Sequence, residues 1–428
     1  MMRWRSALEI YRDRRILAIF CMGFSSGLPL LLVFGTLSYW LREAGVSRTA
    51  VGIFSLVGAS YSFKFVWSPF IDRLPVPWLT RRMGRRRSWA FVIQLLLMAA
   101  IFALGQTDPG AELPITALLA VIVAFLSASQ DIVIDAFRIE LLKPEEQGAG
   151  AAATQWGYRL GTLAGSTGAY DAAALGGWHF AYSIMAALVL VGIASVLATR
   201  EPALPTDAMA PARGATAAVR VAQWTRRAIV DPFADFMRRR GWIAILVLIV
   251  LYKLGEAFAA TMSTTLYQEL GFTKEEVGNI GKIVGLVATL SGVALGGALV
   301  ARLGLFRALL FAGVLQMLGN LLYIALFSAG HDNLMLALSI FGENFTSGMA
   351  SAAFVAYLSS LCSAAFTATQ YALFSSLAAV PARFLSAPSG FLVDRIDWIP
   401  FFLVATLACL PSLLLLLAMR RIVEPVHR

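Results

Sequence analysis

Residues 41–52 read LREAGVSRTAVG, and residues 267–278 read YQELGFTKEEVG. At one constant spacing the two strings share Glu43 with Glu269, Gly45 with Gly271, Ser47 with Thr273, Val51 with Val277 and Gly52 with Gly278. Each string lies between two long apolar runs and predicts the same local event. A helix ends, the chain turns on a glycine, and a hydroxyl residue caps the next helix, with Thr273 and Glu276 forming a capping box. A second echo pairs ATQW at 153–156 with ATQY at 368–371. Two copies of one unit, running in the same order, therefore make up the chain.

The composition says where such a chain lives. Of 428 residues 59% are apolar and 14% charged, against about 45–50% and about 25% in soluble domains. This excludes a soluble enzyme, a collagenous chain and a disordered one. Apolar runs long enough to span a bilayer, about 20 residues each, fall near 16–40, 47–70, 88–105, 113–137, 148–172, 176–199, 241–267, 274–301, 305–327, 333–361, 365–392 and 398–419. The expected fold is an all-α polytopic membrane protein of twelve transmembrane helices in two parallel six-helix halves, the arrangement of the major facilitator fold with a central site near the midplane. The halves are expected at 1–200 and 241–428, with a basic linker at 201–240 that reads as a tether able to lie on anionic lipid. The first run follows residues 1–15 with no small-residue cleavage site and reads as a retained helix.

The net charge of +10 does not point to nucleic acid, because the 35 Lys and Arg residues sit mostly in short loops between apolar runs. Only Arg42, Arg48, Lys274 and Arg395 fall on the side opposite the termini and the linker. By the positive-inside rule both termini are cytoplasmic. Cys21, Cys362 and Cys409 lie in apolar runs without paired spacing, and His179, His331 and His427 form no ligand pattern. No metal, disulfide or cofactor is expected, and the chain is taken as a monomer.

A charge near the bilayer centre costs about 2.5–3.5 kcal/mol, so each needs a reason. Lys64, Asp131, Asp135, Arg159, Lys253, Glu256 and Glu343 lie deep in their runs, as does Asn344, while Lys282 lies in the eighth. Asp131 and Asp135 are spaced i to i+4 and Lys253 and Glu256 i to i+3, so each pair shares a helix face. Those faces are expected to line a polar translocation cavity. Asp72, Arg73, Arg138 and Arg395, nearer span ends, read as structural ion pairs. Of the soluble-protein patterns, GFSSG at 23–27 fits the serine-hydrolase string but lies inside a span, without the strand-turn-helix context it needs. Gly281 and Lys282 lack the rest of a phosphate-binding loop. Gly157, Gly161 and Gly165, with Gly281, Gly285, Gly292 and Gly296, follow small-residue spacing and read as helix contacts, suited to a rocking interface between the fifth and eighth spans.

Several strings then converge on one family. GLPL at 27–30, FSLVG at 54–58, FKF at 63–65, WSP at 67–69, SASQDIVIDA at 127–136, GYRLG at 157–161, LYKLGEAF at 251–258, Glu343 with Asn344, and AAFVA at 352–356 closely resemble the AmpG-type muropeptide permeases of Gram-negative bacteria. PFIDR at 69–73 with GRRR at 84–87 resembles a lengthened major facilitator loop signature, and GALVAR at 297–302 with Gly304 and Arg307 its counterpart. The resemblance implies proton-driven import of N-acetylglucosaminyl-1,6-anhydromuramyl peptides across the inner membrane for peptidoglycan recycling and, where present, beta-lactamase induction. Within it, Asp131, Asp135, Glu256 or Glu343 is expected to carry the proton. Lys64, Arg159 and Lys253 are expected to meet substrate carboxylates, and Gln130, Gln155, Asn344 and Gln370 to bond its amides. Tyr158 and Tyr267, with Tyr39, Trp156 and Tyr371, are placed to stack on sugar rings, core packing being the equal alternative. Asp72, Arg73, Gly84, Arg85, Arg302 and Arg307 form the expected gating loops. Two rival readings are a carrier of another bulky anion (acetyl-CoA-like or siderophore-related) or of a drug, and a membrane sensor. A sensor predicts an appended soluble domain and no buried charges on several helices, against what the sequence shows.

Overall fold

The computed structural model describes residues 10–202 and 226–420, and no strand occurs among them. Twelve helical segments follow in order: α1 (Arg14–Glu43), α2 (48–73), α3 (Arg85–Gly105), α4 (Leu113–Leu141), α5 (144–176), α6 (178–198), α7 (Trp242–Glu269), α8 (Lys274–Leu303), α9 (Leu305–Ala329), α10 (Asn333–Ser360), α11 (367–396) and α12 (Trp398–Ala418). Eight uninterrupted helical runs are long and apolar enough to cross a bilayer. One of these, residues 144–198, contains Gly177 at φ 78° and ψ 175°, outside helical geometry, and so supplies both α5 and α6.

The three remaining segments are those the sequence makes polar or breaks. A 3₁₀ turn interrupts α2 at Ser55–Gly58 and another at Lys64–Val66. In α11 the break is a π turn at Pro381–Leu385, where proline removes a backbone donor. Segment α10 is continuous but carries Glu343, Asn344, Thr346, Ser347 and Ser351.

Both copies of the repeat fold as their sequences require. Gly45 and Gly271 have φ of 82° and 83°, a left-handed conformation that side chains with a Cβ disfavour. Thr273 Oγ1 accepts from Glu276 N at 3.2 Å, and Thr273 N donates to Glu276 Oε2 at 2.8 Å, completing the capping box. At the start of α1, Asp13 accepts from Arg15 N at 2.8 Å, and the Arg15 guanidinium holds the Asp13 carboxyl below its usual range.

The glycine stripes pack inside each half and not between the fifth and eighth spans as the spacing suggested. A Cβ on Gly157 would fall 2.0 Å from Phe20 O, and one on Gly161 2.1 Å from Phe24 O, so α5 lies directly on α1. From the other side, Gly23 and Gly27 of the hydrolase-like string approach Thr154 O and Tyr158 O as closely. In the second half, Gly292 and Gly296 press α8 onto Phe345 and Met349 of α10, while Gly281 faces open space. Short backbone approaches of this kind maximise dispersion contact where lipid supplies no hydrophobic drive.

Contact between α5 and α8 uses other residues. Gly148 meets Gly297, and Trp156 Nε1 donates to Leu290 O at 2.7 Å. Tyr11 stacks on Trp156 at 5.3 Å and donates to Ala294 O at 3.3 Å. The end of the linker also departs from a free tether. Residues Asp231–Met237 form a helix whose Phe236 is buried in the second half's core against Phe374, 4.9 Å between ring centroids. Residues 203–225 lie outside the described residues.

Candidate functional site

In the first half, the 3₁₀ turn of α2 directs Lys64 inward, where it is 8% exposed. Lys64 is the strongest opposite charge acting on both Asp131 and Asp135, one turn apart on α4. Ser26 of α1 donates to Asp131 Oδ1, and Tyr61 and Tyr158 lie within its electrostatic reach. Asp135 sits 3.6 Å from Arg138, too far for a hydrogen bond. Arg138 is fully buried, its Nε, Nη1 and Nη2 have no hydrogen-bond partner, and its guanidinium lies 5.5 Å over the ring of Tyr371 from the other half.

In the second half, α7 breaks at Lys253, between Trp242–Tyr252 and Leu254–Glu269. Its ammonium donates to Glu256 Oε2 and to Ser351 Oγ, both at 2.7 Å. Glu256 also accepts from Gln316 Nε2 and Ser347 Oγ, both at 2.6 Å. Three helices thus converge on one ion pair. Glu343 shares a face of α10 with Ser347 and Ser351 and feels Glu256, Lys253 and, from the first half, Arg159. Asn344 Oδ1 accepts from Thr289 Oγ1 at 3.0 Å.

A third cluster closes the side of the molecule that carries the linker. Asp72, 1% exposed, pairs with Arg86 at 2.7 Å, and Arg86 pairs with Glu140 at 2.6 Å. The second Asp72 oxygen crosses to the other half and accepts from Thr369 Oγ1 at 2.9 Å and Thr369 N at 3.1 Å. Gly84, at φ 89°, starts α3, whose first free amides, Arg86 N and Arg87 N, are taken by the Glu201 carboxylate at 2.8 and 3.0 Å. An acid at a helix N-terminus satisfies both the orphan donors and the dipole. Arg73 lies 4.8 Å over the ring of Phe366. The arginine that engages Asp72 is thus Arg86, while Arg85 is buried beside it with Nε unbonded. In the second half Gly304 repeats the Gly84 backbone, φ 81° and ψ 165° against 89° and 170°. Arg302 is half-buried and Arg307 exposed.

The structure thus brings Lys64, Asp131, Asp135, Tyr158 and Arg159 into one electrostatic group and Lys253, Glu256 and Glu343 into another, while the Asn344 amide is engaged with Thr289 Oγ1 and Ile340 O. It places others elsewhere. Gln130 is buried inside the first half, bonded to Ser25 O at 2.8 Å. Tyr267 packs in the second-half core beside Tyr323. Gln370 lies in the linker-side seam, its amide spent on Pro232 O at 3.0 Å and Asp235 Oδ2 at 2.9 Å. Gln155 is half-buried next to the seam residue Trp156. Ser26, Gln316, Ser347, Ser351, Glu140, Glu201 and Thr369 escaped sequence reasoning, since only tertiary contact gives these ordinary polar residues a role.

Two cavities flank the clusters, and of the clustered charges they include Glu140 alone. One of about 790 Å³ lies on the linker side among Glu140, Gln147, Val300, Ser359, Cys362 and Thr367. Another of about 690 Å³ lies between α2 and α11, lined by Phe34, Phe63, Phe65, Leu377 and Phe384. Neither is lined by Lys64, Asp131 or Glu256. No group of three or more His, Cys, Asp or Glu able to hold a metal occurs among the described residues.

Comparison with known proteins gives a consistent set of matches. The sequence profile of the Major Facilitator Superfamily matches residues 16–386. The anhydromuropeptide permease of Escherichia coli strain K12 is 42% identical over 419 residues, 97% of this chain and 82% of that protein. A putative AmpG transporter of Rickettsia conorii is 32% identical over 413 residues, covering 96% of this chain and 97% of its own. Among solved structures, the proton:xylose symporter XylE superposes with a TM-score of 0.67 at 14% identity, over 96% of this chain and 95% of that one.

Proposed function

This chain belongs to the major facilitator superfamily and, within it, to the AmpG-type permeases, and from that premise we propose that it imports anhydromuropeptides, N-acetylglucosaminyl-1,6-anhydromuramyl peptides, with protons by alternating access. The direction is periplasm to cytoplasm across the bacterial inner membrane, and the use is peptidoglycan recycling. Both termini and the linker face the cytoplasm, with the halves at 1–200 and 241–428 joined through 201–240. The linker-side seam is then the cytoplasmic gate, held shut by Asp72 with Thr369, Trp156 with Leu290 and Tyr11 with Ala294.

One observation supports the coupling above the rest: Asp131 and Asp135 lie one turn apart within the field of Lys64, and among the described residues the one ion pair either of them makes is the 3.6 Å pair of Asp135 with Arg138. Asp131 forms no ion pair and Asp135 only the long one to Arg138, so the set takes up one proton readily and releases it when Lys64 is drawn to another anion. A substrate carboxylate is such an anion. Arg159, exposed on α5, and Lys64 offer it two positive charges. Importing a net negative charge against an inside-negative potential costs about 2.3 kcal/mol per 100 mV, and a co-transported proton offsets that cost. The amide of Gln155 and the ring of Tyr158 remain the proposed sugar and peptide contacts, whereas the Asn344 amide is spent on Thr289 Oγ1 and Ile340 O.

The test is uptake of radiolabelled anhydromuropeptide into oriented proteoliposomes with and without an inward proton gradient. Gradient-dependent accumulation is expected. Accumulation indifferent to the gradient would overturn the coupling, and no uptake by folded protein would turn the search to another bulky anion.

A further inference from the structure

Between α2 and α3 the chain spends residues 74–84, whereas the matching turn between α8 and α9 needs only Gly304. The added segment reads LPVPWLTRRM at 74–83. It is ordered by its own bonds. Trp89 Nε1 donates to Leu74 O at 2.7 Å, Val76 N to Thr80 Oγ1 at 2.8 Å, and Gly84 N to Thr80 O at 3.0 Å.

Within this frame Trp78 has φ 63° and ψ −45°, a backbone that bulky side chains avoid and that persists where function over-determines it. The result is an indole turned outward and 87% exposed. Leu74, four residues earlier, is exposed, and Arg81 and Arg82, three and four residues on, are exposed as well. In water, an exposed indole gains nothing from a strained backbone. At the polar boundary of a bilayer it buries its ring while its N–H stays hydrated. The segment leaves α2 at Arg73 and re-enters α3 at Arg85, so its length keeps it close to the bilayer surface. Two exposed guanidinium groups match anionic headgroups there.

We propose that residues 74–83 form a membrane anchor: Trp78 and Leu74 insert at headgroup level in the linker-side leaflet, and Arg81 and Arg82 hold anionic phospholipid. Only the naming of that leaflet as cytoplasmic rests on the orientation proposed above. The anchor runs from Asp72 to Arg86, the two partners of the buried 2.7 Å ion pair, so anionic lipid steadies the seam from outside.

The test uses the full chain with Cys21, Cys362 and Cys409 replaced by Ala and Pro77→Cys carrying an NBD fluorophore. It is reconstituted in vesicles of phosphatidylcholine with or without phosphatidylglycerol. With phosphatidylglycerol, the emission is expected to shift to the blue and escape aqueous iodide. Each of Arg81→Gln and Arg82→Gln is expected to lower the ratio of shielded to exposed probe about fivefold, and Trp78→Ser to abolish the shielding. A probe exposed to water in both lipids, or shielding indifferent to all three substitutions, would overturn the anchor. Shielding found in native membranes but absent from vesicles would replace the lipid by a protein partner. Reaction of Pro77→Cys with an impermeant maleimide on intact cells would overturn the orientation while leaving the vesicle result standing.

Discussion

Glu256 in the second half and Asp131 with Asp135 in the first are acids inside the bundle under the influence of a lysine, yet only Glu256 forms an ion pair with its lysine, and their surroundings differ. Glu256 accepts three hydrogen bonds, from Lys253, Gln316 and Ser347, and Lys253 has Ser351 besides. Asp131 has Ser26, and Asp135 has only the long pair to Arg138. A buried ion whose bonds are all made is held in one charge state and one geometry, whereas one left short of partners changes state at lower cost. The contrast is the ground for the proposal that the Lys253 pair is structural and the Lys64 cluster exchanges the proton. Glu343, which makes no side-chain hydrogen bond among the described residues, sits between them in character.

The sharpest way to break this contrast is to neutralise the acids one at a time. Asp131→Asn and Asp135→Asn are each expected to remove gradient-driven accumulation down to the level of empty vesicles while thermal unfolding in detergent changes little. Normal accumulation by both variants would move the proton to Glu343 and end the assignment. Next in size, Glu256→Leu strands Lys253 and is expected to cost about 3–5 kcal/mol of stability. Glu256→Gln, which can keep bonds to Gln316 and Ser347, is expected to cost less, so equal unfolding temperatures would contradict a structural role.

Two fully buried arginines extend the comparison. Arg86 hydrogen-bonds Asp72 and Glu140, whereas Arg138 makes no hydrogen bond and only the 3.6 Å pair with Asp135. Arg86→Met is expected to destabilise by about 3 kcal/mol or more by leaving two buried acids uncompensated, and Arg138→Met by less than about half of that, read from the same unfolding curves. The smallest expected effect is at the seam. Thr369→Ala removes one hydroxyl from Asp72 and keeps the backbone donor, worth about 1.5 kcal/mol, or about a tenfold shift toward the state open on the linker side. Spin-label distances across α2 and α11 would measure it, and an unchanged distribution would mean Asp72 does not latch the halves.

The fold was legible because a bilayer imposes simple rules. A span must be apolar and about 20 residues long, so hydropathy found the segments, and the repeat at 41–52 and 267–278 paired the halves before any contact was known. The acids and lysines were legible for the same reason, since charge in a span stands out against lipid. Glycine spacing announced close helix contact but not the partner, because a stripe of small residues fits any backbone that approaches it. Only packing chose α1 for α5 and α10 for α8. Gln370 and Thr369 sit side by side in a string that repeats Gln155 and Thr154, and their neighbours in the seam gave them structural tasks that one-dimensional similarity cannot carry. By itself the sequence determined the number of helices, the two-fold plan and which charges need an explanation. Which charges are fully bonded and which are left short of partners was decided by the tertiary structure, because the hydrogen bonds that Ser26, Gln316 and Ser347 donate and the one Ser351 accepts reach across helices distant in the chain.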